Sequence, residues 1–129
     1  TKMPFARLTI LPALTPEIAG QLNVDLTALI AQDLGKRHEL TSVLVEWPNA
    51  ASWTIGGAAQ KTSAHLEVCV TAGTNSDDEK RTFIENAMSR LRETLPDIDD
   101  ATYVVIKELE GSDWGFNGRT QADRAAKKA

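Results

Sequence analysis

Apolar residues along this chain recur with two different periods. From Phe5 to Leu11, Ala6, Leu8 and Ile10 alternate with Phe5, Arg7 and Thr9, which is the period of a strand, and Pro12 ends it. Ile18, Leu22, Leu26, Leu29, Ile30 and Leu34 then follow helical spacing, with Asn23, Asp25, Thr27 and Gln32 off the stripe. Thr15 suits an N-cap, Pro16 the first helical position, and Glu17 the positive end of the helix dipole. Gly35 suits the C-cap. A second strand is predicted from about Thr41 to Trp47, closed by Pro48.

The same pattern returns after a connector over 49–62, rich in small residues, with a short strand predicted near Trp53-Thr54-Ile55. Leu66, Val68 and Val70 alternate with Glu67, Cys69 and Thr71. Ser76-Asp77-Asp78-Glu79 has the form of a capping box. Phe83, Ile84, Ala87, Met88 and Leu91 give a second amphipathic helix, which Pro96 closes before the acidic turn Asp97 to Asp100. Thr102 to Leu109 is a further strand, and Trp114-Gly115-Phe116-Asn117-Gly118 predicts a short strand or turn. Residues 121–129 have no hydrophobic stripe and are expected to fray.

The order predicts an α/β (α+β) chain of two βαβ repeats, forming one four-stranded mixed sheet with two helices on one face. Phe5, Val43, Val45, Tyr103 and Val105 are expected on the other face. Such a face is too apolar to leave wet, so it predicts self-association.

Composition narrows the class. A chain of 129 residues fits one domain, 1–129, that buries about two-thirds of its unfolded surface without disulfide or metal support. Fourteen Lys+Arg against eighteen Asp+Glu give a net charge of −4, which argues against a nucleic-acid partner. No apolar run reaches the ~20 residues that span a membrane, and the start shows no signal-peptide pattern. One cysteine, Cys69, excludes an intrachain disulfide and suits a reducing compartment, so a cytoplasmic location is expected. His38 and His65 lack metal-ligand spacing, and Asp97, Asp99 and Asp100 lack a calcium-loop pattern, so no metal is expected.

The architecture hosts many functions, but particular residues go further. These are Met3-Pro4-Phe5 at the first strand, Leu34-Gly35-Lys36 at the end of the first helix, Trp53-Thr54-Ile55-Gly56-Gly57 in the connector, Tyr103-Val104-Val105, and Trp114 to Gly118. Together, over roughly Pro4 to Asn117, they resemble the tautomerase superfamily. The spacing is most similar to the longer members, macrophage migration inhibitory factor and malonate semialdehyde decarboxylase. The resemblance implies a homotrimer with a pocket at each subunit boundary. It also implies cofactor-independent proton transfer on a small 2-oxo or unsaturated carboxylic acid, with an amino-terminal proline as general base. A base poised near the working pH is what proton abstraction beside a carbonyl needs.

Carried over by position, the resemblance makes Pro4 the catalytic proline. It makes Tyr103 a pocket tyrosine from a neighbouring subunit, able to hydrogen-bond an enolate. Lys36, with Arg37, would hold the substrate's anionic group; Val68 would be an apolar pocket residue; Trp114 and Phe116 would form an aromatic wall. On residue type alone the same positions read as a strand-leading proline, a dipole-complementing lysine, and packed aromatics. The loop Ala72-Gly73-Thr74-Asn75 lacks the arginines of the decarboxylase and dehalogenase branches, and Val105 stands where the migration-inhibitory-factor group has a polar amide. Decarboxylation or hydration on the same proline, and a non-catalytic trimer that binds a metabolite or protein, are the alternatives. Met3 reads as the natural start, with Thr1 and Lys2 an addition or an alternative start. Proline within a chain has no basic nitrogen, so the chemistry requires loss of the residues before Pro4.

Overall fold

The structure, a computed structural model, describes residues 3–128. The expected extension at Thr1 and Lys2, and Ala129 of the tail, lie outside the described residues. Strand β1 (Phe5–Leu11) leads through helix α1 (Pro16–Leu34) to β2 (Ser42–Glu46). After a small hairpin, β3 (Thr54–Ile55) and β4 (Ala58–Ala59), the unit repeats as β5 (Ser63–Thr71), α2 (Asp77–Thr94) and β6 (Tyr103–Leu109). A second hairpin, β7 (Gly115–Phe116) and β8 (Arg119–Thr120), runs into α3 (Gln121–Lys128).

Four strands form one sheet in the order β2-β1-β5-β6. The outer pairs are parallel and the central pair β1–β5 is antiparallel, so the two βαβ units sit back to back. Ala6, Leu8 and Ile10 of β1, and Leu66 and Val68 of β5, are fully buried. They form one cluster with Leu22, Leu26 and Ile30 of α1 and Phe83, Ala87 and Leu91 of α2. Both predicted caps form: the Thr15 side chain accepts from the N–H of Ile18, and Ser76 and Glu79 make a reciprocal capping box. Gly56 and Gly57 at positive φ turn the first hairpin, a conformation that glycine adopts without a Cβ penalty.

Two expectations are corrected. Val43 and Val45 do not face away from the helices. They stand opposite Ala6 and Leu8 across the parallel pair and pack on the core. The face away from the helices instead carries Phe5, Leu44, Tyr103 and Val105 among charges. There Arg7 pairs with Glu46 (3.3 Å), while Glu67 accepts from Lys107 (2.6 Å) and lies 2.9 Å from the His65 ring nitrogen. The tail is also helical through 121–128 rather than irregular. It forms α3, where Thr120 caps by accepting from the N–H of Asp123 (2.9 Å) and Gln121 is buried. Its inward positions are polar or small, which is why no hydrophobic stripe marks it.

Truncating Phe83 to alanine removes a fully buried ring and is expected to cost about 3–5 kcal/mol, against under about 1 kcal/mol for Ile84→Ala on the outer side of the same turn; denaturant melts of the two variants check this. The hydrogen bond from Lys107, then that from His65, holds the Glu67 carboxyl below the ordinary carboxylate range. The unfolded state therefore binds this proton at higher pH than the folded state does. The contribution is present above about pH 4–5 and is lost as pH falls through the lowered folded value. Being partly solvated it is worth under about 1 kcal/mol. Glu67→Gln should lose less melting temperature than the parent between about pH 6 and about pH 3.

Candidate functional site

Pro4 leads β1 and is buried, and its carbonyl accepts from the N–H of Ser42 (3.2 Å). The Met3 side chain ahead of it lines a cleft of about 420 Å³. Met3, Leu40 and Ala125 give the cleft apolar wall; Arg37, Gln121 and Arg124 bring polar groups, and Phe116 an aromatic ring. Each arrives from a separate piece of chain. Gly35, in the left-handed region at φ 64°, turns the chain out of α1 toward Arg37 and the 3-10 turn that carries Leu40. The β7–β8 hairpin, turned by Asn117 and Gly118 at positive φ, presents Phe116. Helix α3 then folds back on this hairpin: the N–H of Gln121 donates to the Trp114 carbonyl (2.7 Å), and the Gln121 amide lies 3.5 Å from the Met3 sulfur.

The predicted site residues divide. Arg37 and Phe116 line the cleft, and Pro4 is the next residue in the chain after its wall residue Met3. Arg37 shares its guanidinium with Glu39, at 2.8 Å from Nε and 2.5 Å from Nη2. Lys36 is at the same end of the sheet but does not line the cleft. It is buried, and its Nζ donates to Thr74 Oγ1 (2.8 Å), which in turn donates to the Thr71 carbonyl (2.6 Å). Beside it Asn75 donates to the Leu34 carbonyl (2.8 Å), tying the end of α1 to the loop after β5. The lysine thus braces the junction between the two repeats. Trp114 is half-buried and acts through its carbonyl, as the seat of α3.

Val68 is corrected. It is fully buried opposite Ala6 in the layer beneath the helices, because β5 is central and its even-numbered residues point inward. No substrate reaches it there. Tyr103 is level with His65 and Thr9, five residues from Pro4 along the strands, or about 17 Å. It is 63% exposed and borders a separate cavity of about 240 Å³ with Trp53, Ile55 and His65. Within one chain Tyr103 and Pro4 do not meet.

Pattern reading passed over Met3, Leu40, Gln121 and Arg124. Hydrophobic periodicity gives no signal for α3. The available signal was Thr120-Gln121-Ala122-Asp123, which has the form of a capping sequence and marks a helix start without an apolar stripe.

No family model matches the sequence, and no curated protein matches it. Solved structures do match. Pt0534, in a structure inactivated by 2-oxo-3-pentynoate, superposes with a TM-score of 0.84 at 13% identity, over 93% of this chain and 98% of that one. A native fused 4-OT gives 0.83 at 22% identity, over 94% and 98%. A macrophage migration inhibitory factor-like protein from Entamoeba histolytica gives 0.78 at 19% identity, over 92% and 98%. With two βαβ units back to back in a four-stranded sheet, a proline at the head of its first strand, and this likeness running almost end to end, the chain has the tautomerase-superfamily fold.

Proposed function

We propose that this protein is a cofactor-independent tautomerase acting on a small 2-oxo or enol acid, with Pro4 as general base once the residues before it are removed. The observation that carries the reading is the cleft beside Met3, the residue that precedes Pro4. The proline is buried and directly follows Met3, the residue to be removed, which forms part of the cleft wall, and two arginines and a phenylalanine border the cleft. A freed Pro4 nitrogen is a secondary amine. Burial and nearby cations disfavour its protonated form, so it stands unprotonated near neutral pH. It takes a proton from the carbon next to the substrate carbonyl. The electron pair of that C–H bond moves into a new C=C bond, the carbonyl π pair moves to oxygen, and the proton is returned elsewhere. The inactivation of Pt0534 by 2-oxo-3-pentynoate supports a 2-oxo acid as the ligand class.

The chain is proposed to work as a homotrimer. A fused 4-OT with the same fold forms an asymmetric trimer. The apolar side chains on the sheet face away from the helices provide the surface for such contact, and a neighbour's Tyr103 is the one that could approach the Pro4 cleft to hydrogen-bond the enolate. The half-buried Cys69 on that face suits a reducing, cytoplasmic setting.

Protein cut to begin at Pro4 is expected to interconvert the keto and enol forms of phenylpyruvate or 2-hydroxymuconate. Pro4→Ala should lower kcat by about 10²–10⁴-fold, the usual contribution of a positioned acid–base group. Equal rates for the two remove the proline from the mechanism. The uncut protein should be inactive, and full activity with Met3 retained contradicts the reading.

A further inference from the structure

Helix α3 brings one residue to the cleft whose surroundings call for a ligand. The guanidinium carbon of Arg124 lies 4.6 Å from the centre of the Phe116 ring, and its Nη2 donates to the Phe116 carbonyl (3.0 Å). These two contacts hold the group flat against the hairpin. Its Nε is buried and has no hydrogen-bond partner among the described residues. No carboxylate pairs with Arg124 among the described residues either. A buried donor left unmade is costly, and native structures rarely keep one without a reason. An arginine cannot escape by losing its proton.

Charge at the cleft adds a second constraint. Arg37 is already neutralised by Glu39 on its own turn, at 2.5 Å. Of the two arginines that line the cleft, Arg124 therefore has the uncompensated charge. The walls contributed by Leu40 and Ala125, which remain once Met3 is removed, are apolar. One fixed cation, one ring and an apolar floor match a ligand with a single anionic end.

We propose that Arg124 is the anion anchor of this cleft, and that it selects small monocarboxylic 2-oxo acids over dicarboxylic ones. The carboxylate is taken by the Nη end of the guanidinium, Nε being covered. The apolar walls take the hydrocarbon end. This rests on the cleft being the substrate site, as proposed above.

The test titrates 2-oxopentanoate, its methyl ester and 2-oxoglutarate into the full chain and into protein beginning at Pro4, following binding by calorimetry. The acid should bind more tightly than both the neutral ester and 2-oxoglutarate, whose second carboxylate meets no free cation. R124Q should weaken the acid by about tenfold or more and bring acid and ester to similar affinity. R124K should recover part of the discrimination, and Arg81→Gln, on the solvent side of α2, should leave it intact. Thermal melts establish that the variants are folded. Unchanged acid binding in R124Q, an ester bound as tightly as the acid, tighter binding of 2-oxoglutarate, or no binding of 2-oxopentanoate by either form overturns the proposal. Turnover is read separately. If the cut protein binds 2-oxopentanoate through Arg124 but shows no keto–enol activity, the proline mechanism falls and the anchor stands.

Discussion

Strand β1 lies between a parallel and an antiparallel neighbour and puts Ala6, Leu8 and Ile10 into the dry layer under both helices. A slip of one residue would turn Arg7 and Thr9 inward and expose all three apolar side chains. That penalty locks the strand along its length, and with it the residue at its head. Pro4 is held where it is because Ala6 must be buried and because the Pro4 carbonyl is already part of the ladder to β2. A loop would hold a catalytic nitrogen less firmly than the end of a central strand does.

The cleft beside Met3 is assembled from segments distant in sequence, each brought in by a different local device. The left-handed turn at Gly35 delivers Arg37, the β7–β8 turn delivers Phe116, and the Thr120 cap starts the helix that delivers Arg124. Lys36 serves this assembly from behind. Its bond to Thr74, beside the Asn75 contact with the end of α1, joins the two repeats at the same edge of the sheet as Pro4. Cations collect at this edge although the whole chain carries a net charge of −4. The overall charge therefore says little about what the cleft binds.

The layered fold was legible because strands and helices here obey simple periods. Leu22, Leu26, Ile30 and Leu34 mark α1 by spacing alone, and Ser76 and Glu79 mark the start of α2. Parity across the sheet was not legible: Val43 and Val45 look like residues of either face until the register against Ala6 and Leu8 is known. The site was half legible. The resemblance named Arg37 and Phe116, which line one cleft beside Met3, but it put Val68 in a pocket when a central strand buries it in the core. Arg124 was hidden because a short helix anchored by an amide, a cap and an arginine on a ring leaves no hydrophobic signal.

The central claim is that burial and neighbouring cations make the Pro4 nitrogen a base near neutral pH once it is free. The most direct measurement is its own titration, followed by nitrogen NMR on protein beginning at a ¹⁵N-labelled Pro4. The account predicts a midpoint below the range of an ordinary terminal amine, about 7.7–8.0. A midpoint at or above that range would contradict it, since the amine would then be mostly protonated at neutral pH and unable to take the substrate's proton.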